Sequence, residues 1–292
     1  MRKLNVLSLF DGMSCGQIAL ERAGIEVENY FASEIKDHAI KVTQENYPNT
    51  IQLGDVTKVK GKDLPKIDLL IGGSPCQDFS LANKNVTGLD GEKSSLFWEY
   101  LNPNLLFLLE NVKMKKEHQQ QISQILGVEP ILIDSKNVTG AYRKRLYWTN
   151  IKGINQPIDK KVLLLDLLES GYTDREKARC LLESDSRPLT TPVKMFHRYF
   201  STGFTTLVFK DETHYKNCVE HYNSNFKGLA AKDIKCDSDV YDGVRYLTTT
   251  ERERLQTVPE GYCKSLTENE AACLLGDGWT VDVIAHIFSF IK

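Results

Sequence analysis

Ile67-Asp68-Leu69-Leu70-Ile71-Gly72-Gly73-Ser74-Pro75-Cys76-Gln77-Asp78-Phe79-Ser80 is the stretch on which the reading of this chain turns. The run Ile67 to Ile71 has the length and apolar content of a buried strand, and it runs into two glycines. Pro75 fixes its own φ and drives Ser74 into an extended conformation, so Cys76 stands on a rigid base just past a strand end. A lone cysteine is most often a packed core residue. A second run further along changes the balance: Leu105-Leu106-Phe107-Leu108-Leu109-Glu110-Asn111-Val112 reads as another buried strand, and it ends on a carboxylate. Desolvation at such a strand end favours the protonated form of Glu110. A thiolate and a protonated carboxyl at neighbouring strand ends make a nucleophile and general acid pair.

Outward from these two runs, short apolar segments alternate with helix-like ones. Strands are expected at Asn5 to Leu9, Glu28 to Ala32, Leu146 to Thr149 and Ile131 to Asp134, with helices such as Cys15 to Arg22 and Ala39 to Asn46 between them. That alternation predicts an α/β fold with a mostly parallel sheet. From about Gln156 to Tyr241 the pattern degrades into Ser, Thr, Asn and isolated aromatics, which marks a small insert. It sharpens again in the last fifty or so residues. Thr250-Glu251-Arg252-Glu253 and Thr267-Glu268-Asn269-Glu270 both have capping-box spacing, and Trp279 to Phe290 is apolar at helical spacing. The expected division is therefore 1–155, a first catalytic and cofactor-binding part; 156–241, the insert; and 242–292, a return to the first part.

Composition excludes little. A 41% hydrophobic and 26% charged content with a formal net charge of −2 is ordinary for a globular chain of 292 residues. Near-neutral charge does not argue against a polyanionic partner, which needs only a local basic surface. No apolar stretch stands out as a membrane span, and the N-terminus turns to Asp11-Gly12 instead of continuing as a signal peptide. The seven cysteines are scattered without a C-x-x-C pair, which fits a reducing cytoplasm better than a disulfide framework. The chain is expected to be monomeric.

The first strand runs into Phe10-Asp11-Gly12-Met13-Ser14-Cys15-Gly16, a turn where glycines let backbone approach a ligand. A generic strand-to-helix turn has the same look. Glu34 closes the second strand, where a carboxylate can take two ribose hydroxyls, although an exposed charge is the equal alternative. Asp55-Val56 after Gly54 offers an acceptor for an adenine amino group. Three such turns in series suggest an adenosyl ligand.

With Cys76 and Glu110 in place, the chain resembles the DNA (cytosine-5) methyltransferases over nearly all of 4–150 and 243–290. The carriers, in family order, are Phe10-Asp11-Gly12-x-x-x-Gly16; Ser74-Pro75-Cys76-Gln77; Glu110-Asn111-Val112; Arg143-Lys144-Arg145; Arg245-Tyr246-Leu247-Thr248 through Gln256; and Gly276-Asp277-Gly278-Trp279-Thr280-Val281. The resemblance implies an S-adenosylmethionine-dependent, Rossmann-like fold with a small target-recognition region. It also implies methyl transfer to C5 of a flipped cytosine in double-stranded DNA, with S-adenosylhomocysteine as product. Cys76 would add to C6, Glu110 would meet N3, and Arg143, with Arg145 second, would hold the base O2 and the Glu110 carboxylate. Phe10, Asp11, Gly12, Gly16, Glu34, Ile35, Asp55, Val56, Pro75, Leu96, Trp279, Thr280 and Val281 would line the donor site. Gln77 and Ser80, in a loop reaching Lys93, would close over the base, while Lys194 and Arg198 of the insert would touch DNA. Such enzymes belong to bacterial cytoplasm or a phage-infected cell.

Two departures stand out: Ala141 where the family has glutamine, and Asp277 where asparagine is usual. A transfer-RNA branch of the family carries a Cys-Phe-Thr signature absent from this chain. A DNA-binding protein with weak or no activity is the other alternative, opposed by the intact Cys76 and Glu110. His214, Cys218, His221 and Cys236 do not have the spacing of a common zinc module, so no metal is expected.

Overall fold

The computed structural model describes residues 2–73, 105–182, 192–203, 205–230, 233–234 and 239–292. They form two compact units, one made of 1–134, 144–157 and 278–292, the other of 135–143 and 158–277.

The first unit holds a seven-stranded sheet. Its strands are β1 (Leu4–Leu9), β2 (Val27–Ser33), β3 (Ile51–Gln52), β4 (Leu69–Gly73), β5 (Leu106–Val112), β6 (Ile131–Asp134) and β7 (Lys144–Thr149). The order is β3-β2-β1-β4-β5-β7-β6, parallel from β3 through β5, with β7 antiparallel to both of its neighbours. The sheet is mixed and mostly parallel, as the alternating pattern requires. Two-residue β3 is too short to leave a periodic trace.

Connections fall where glycine and polar residues permit them. Helices α1 (Cys15–Arg22) and α2 (Asp37–Asn46) follow β1 and β2, and α3 (Lys116–Leu126) joins β5 to β6, ending on Gly127 at φ 67°. Leu7, Leu9, Leu70, Phe107 and Leu109 alternate along their strands and pack with Ile122 and Leu126 of α3. Fully buried Trp148 belongs to the same cluster, and its indole N–H donates to Ser123 Oγ at 3.0 Å. The last helix, α8 (Val281–Phe288), packs on α1, with Arg22 and Asp282 paired at 2.7 Å.

Sheet order reverses between β1 and β4, from which the sheet grows outward in opposite directions. In open α/β sheets ligands bind outside the carboxyl ends of the strands at such a switch point. The loop after β1 and the end of β4 lie there.

The second unit contains α4 (Pro192–Thr202), α5 (Glu212–Asn225), α6 (Thr249–Leu255) and α7 (Glu268–Asp277). Phe196, Tyr199, Phe209, Tyr222, Phe226 and Tyr241 form an aromatic core, so the insert's scattered aromatics are largely its interior. The unit also takes in residues 242–277, which the sequence pattern assigns to the returning segment. Leu247 and Leu255 explain this, because they pack with Leu164, Ala178, Leu181 and Val208 of the same unit. The chain regains the first unit at Gly278.

Of the two capping boxes expected, Thr267 and Glu270 form one, with Glu270 accepting from the Thr267 N–H at 2.9 Å. The other is shifted: α6 is capped by Thr248 and Glu251, not Thr250 and Glu253. Both pairs have the required spacing, but Glu253 instead accepts the N–H groups of Gly261 and Cys263 at 2.7 and 2.8 Å.

The segment Glu268–Phe288 is apolar and long enough to cross a membrane by composition, a feature that does not stand out in the sequence. It is broken into α7 and α8 around Gly278-Trp279-Thr280, and 67% of its apolar window is buried within the protein. That is the pattern of core helices.

Candidate functional site

The turn after β1 is built from unusual backbone. Phe10, Gly12 and Ser14 all have positive φ, at 56°, 59° and 59°. Only glycine adopts this region without cost, so Phe10 and Ser14 are held there by their surroundings. Ser14, fully buried, donates its hydroxyl to Asp11 Oδ2, and Tyr30 donates to Asp11 Oδ1 at 2.7 Å. Burial pushes the Asp11 carboxyl up to about 6, against the lowering effect of the Ser14, Ser8 and Tyr30 hydroxyls, with the Glu34 charge adding to the rise. Gly16 opens α1 where any side chain would collide, since a Cβ would lie 2.5 Å from Ile71 Cδ1 and 2.7 Å from Tyr30 Oη.

Glu34 sits just past β2 and reaches back to the turn. Its Oε2 accepts the Gly12 N–H at 2.8 Å, while Oε1 accepts the N–H groups of Ile35 and Lys36 at 2.7 and 2.9 Å. The carboxylate is therefore a clamp on the β1 turn as well as a candidate ribose acceptor. Beside it, Ile35 is 70% exposed, an apolar side chain left open at the same edge. Asp55 accepts the Thr57 N–H at 2.9 Å and starts a short 3₁₀ turn, and Val56 packs with Phe10 against the main core. Asp11, Glu34 and Asp55 thus follow the ends of β1, β2 and β3 in series.

At the neighbouring strand ends, Gly73 of β4 pairs in register with Glu110 of β5. A Cβ on Gly73 would stand 2.7 Å from Trp279 Nε1 and 3.2 Å from Glu110 Oε2. The indole, the β4 terminus and the carboxylate therefore crowd one point, and only glycine leaves room. No role for Gly73 follows from its place in the motif alone; the available signal is that a glycine inside a strand end marks a close approach. Thr280 stands at the N-cap of α8, and Val281 is fully buried, so it contributes packing and not exposed surface.

Glu110 is 8% exposed, and its Oε1 meets Arg145 Nε at 2.8 Å. The sequence places Arg143 first for this contact. Instead, the Arg143 guanidinium donates to the carbonyls of Leu181 at 3.3 Å, Gly276 at 3.1 Å and Asp277 at 3.3 Å. β7 begins at Lys144, so Arg145 is fixed by the ladder beside β5 while Arg143 precedes it. Ala141 is 5% exposed and bridges Ala178 through backbone; a methyl fills the position where the family carries an amide.

Cys76, Pro75, Gln77, Ser80 and Leu96 lie outside the described residues. The chain leaves β4 at Gly73 and reaches Cys76 after Ser74 and Pro75. Lys194 and Arg198, four apart, share one side of α4, while Met195, Phe196 and Tyr199 are buried. Of the four residues weighed as metal ligands, His214 contacts the Val240 carbonyl at 3.0 Å, Cys218 the same carbonyl at 3.2 Å, and His221 the Tyr241 hydroxyl at 3.1 Å. Cys236 lies outside the described residues.

The sheet and its crowded edge define the α/β fold of S-adenosylmethionine-dependent methyltransferases. Residues 4–128 match the family model for the C-5 cytosine-specific DNA methylase. The orphan methyltransferase M.Rho11sI of Bacillus phage rho11s is 34% identical over 191 residues, covering 61% of this chain and 37% of that protein. The type II methyltransferase M.NlaIV of Neisseria lactamica is 27% identical over 260 residues, covering 80% of this chain and 60% of that protein. Among solved structures, a DNMT2 mutant from Spodoptera frugiperda superposes with a TM-score of 0.70 at 17% identity, covering 99% of both chains. Over residues 4–128 the chain carries the C-5 cytosine-specific DNA methylase domain. It spans less than two thirds of the length of these two curated relatives.

Proposed function

We propose that this chain is a DNA (cytosine-5-)-methyltransferase that uses S-adenosylmethionine as donor. The observation that carries the reading is Glu110: buried, ion-paired to Arg145, and registered beside the strand end that leads to Cys76.

The residues at the sheet edge suit the donor. Gly12 has a positive φ and open space where a Cβ would point, so backbone is accessible there. Glu34 would hold the ribose, Asp55 the adenine amino group, and exposed Ile35 would cover the adenine face. Asp11, Glu34 and Asp55 together favour a cationic ligand. The donor supplies an electrophilic methyl group when bound.

The chain's own groups do the rest. Cys76, as thiolate, adds to C6 of a cytosine taken out of the stack. Glu110 holds or delivers a proton at N3, so that charge from the addition is drained into the ring. Arg145 fixes the carboxylate and presents the rest of its guanidinium to O2; a planar fork serves both. Release of Cys76 follows loss of the C5 proton. Residues from the 156–241 insert, Lys194 and Arg198 among them, would position duplex DNA, and Gln77 and Ser80 would close over the base. Bacterial and phage relatives support a cytoplasmic setting.

A second reading, methylation of transfer RNA, stays in view because the fold superposes over nearly its whole length on a DNMT2 chain. The Cys-Phe-Thr signature of the family's transfer-RNA branch is absent here, which favours DNA. Expression in a bacterium free of cytosine methylation, followed by sequencing of its DNA and transfer RNA, decides. The expected outcome is 5-methylcytosine in DNA within one sequence context; modification of transfer RNA alone would reverse the reading.

A further inference from the structure

The second unit contains a narrow cleft lined by Arg179, Cys180, Thr205, Thr206, Tyr246 and Arg252, among others. Its free interior is about 10 Å³, close to what one water-sized sphere occupies. A base or a nucleoside does not fit such a space, but a single oxygen atom does.

The polar groups in the cleft are unevenly used. Thr206 Oγ1 accepts the Arg179 N–H at 2.9 Å. Thr205, 1% exposed, has a buried hydroxyl with no hydrogen-bond partner among the described residues. Leaving a hydroxyl buried and unpaired is costly, so something polar is expected to meet it. Two guanidinium groups flank the cleft, Arg252 at 6% exposure and exposed Arg179. The nearby Arg175 serves the wall itself. It donates to the carbonyls of Gly203 at 3.3 Å and Thr205 at 2.6 Å and lies over the Tyr199 ring. Arg175 thereby holds the backbone in place, while the Arg179 side chain has no hydrogen bond or ion pair to a described residue.

We infer that this cleft is a phosphate-backbone site, in which one non-bridging oxygen of a DNA phosphodiester enters between Arg179 and Arg252 and accepts a hydrogen bond from Thr205 Oγ1. An anionic oxygen satisfies the Thr205 hydroxyl, meets the exposed Arg179 guanidinium and fits the volume. Such a contact positions the duplex without selecting bases. The inference rests on the duplex-DNA reading above.

The test measures affinity of labelled duplexes of several sequences across a salt series, for the intact protein and for Arg179→Gln and Thr205→Val. Arg179→Gln should weaken all duplexes alike and reduce the slope of log affinity against log salt by about 0.9, the loss of one phosphate contact. Thr205→Val should weaken binding about tenfold at unchanged slope, and should leave thermal stability equal or higher, because an unpaired hydroxyl is replaced by a methyl. An unchanged slope in Arg179→Gln, or a clear drop in melting temperature for Thr205→Val, overturns the inference. Millimolar inorganic phosphate is the second arm. If it stabilises the parent protein but not Arg179→Gln while the duplex slope is unchanged, the cleft takes a free anion and the backbone assignment fails. If the parent protein does not bind or methylate duplex DNA at all, the functional reading fails; if it does both and the variants match it, only the cleft assignment fails.

Discussion

Arg145 and Glu110 face each other diagonally across the antiparallel pair β5 and β7, with Nε to Oε1 at 2.8 Å; Glu110 is registered opposite Tyr147, and Arg145 opposite Val112. Diagonal neighbours on one face of a sheet are within reach of long side chains. The pair is held by the ladder, so its geometry is a property of the fold and not of a loop.

Removing the guanidinium should therefore damage chemistry, and it also leaves the buried Glu110 carboxylate unpaired, at a cost in stability. Arg145→Ala is expected to lower the methyl-transfer rate by about 10²–10³-fold, the scale seen when one aimed donor is lost at a reacting centre. Arg145→Lys should recover only part of it, because a point charge lacks the fork. Arg143→Ala, by contrast, frees the carbonyls of Leu181 and Gly276 and should lower the melting temperature. Single-turnover rates and thermal melts of the three variants separate these roles.

The family resemblance places Arg143 first, and the residues alone do not separate it from Arg145. Arg143 and Arg145 are two apart and would share a face if the strand began earlier. Nothing in the pattern Ala141-Tyr142-Arg143-Lys144-Arg145 marks Lys144 as the first paired residue. The sheet itself is legible, because parallel strands buried on both faces read as continuous apolar runs. The second unit is not, because its core is aromatic and its polar residues carry caps and clamps, as in the Arg245 and Glu251 pair. Gly73 is visible as a letter, but its collision with Trp279 requires the third dimension.

Gly73→Ala should cost donor binding. The added methyl would meet Trp279 Nε1 at 2.7 Å, so the indole must move. A rise in donor KM with duplex affinity unchanged is expected, measured by titrating each ligand separately. A change confined to duplex affinity would contradict the placement of Trp279 at the donor edge.

Asp11 gives a pH signature. Its carboxyl is raised from 3.8 to about 6 by burial, so the folded protein binds this proton more tightly than the unfolded chain does. Its contribution to stability is fully present below the unfolded value and is lost as pH rises through about 6. Asp11→Asn keeps the side chain neutral, so it should gain stability relative to the parent between about pH 4 and pH 7. Parallel melts across this window check the sign. A variant whose relative stability falls with rising pH would show that the parent's carboxyl is not raised.

In the second unit Arg245 donates to both oxygens of Glu251 at 2.8 Å and to the Ser170 carbonyl at 2.7 Å. Burial pushes the Glu251 carboxyl up, but the Arg245 guanidinium and the N–H groups of Thr248 and Glu169 outweigh it and hold it below its ordinary value. Breaking the pair from the arginine side leaves a buried charge. Arg245→Ala should destabilise the protein by about 3 kcal/mol, in the range for such losses, as read from urea unfolding. Equal stability of variant and parent would show the pair to be idle.

The proposed chemistry turns on a bond between Cys76 and C6 of a cytosine in DNA. Duplex DNA synthesised with 5-fluorocytosine throughout, so that no recognition sequence need be known, is incubated with the protein and S-adenosylmethionine. Fluorine at C5 cannot leave as a proton does, so the bond to Cys76 persists. The expected product is a denaturant-resistant protein–DNA complex that depends on the donor, maps to the peptide carrying Cys76, and disappears in Cys76→Ser. No complex with DNA that the protein demonstrably methylates, or an adduct on Cys15 or any other cysteine, would rule this chemistry out.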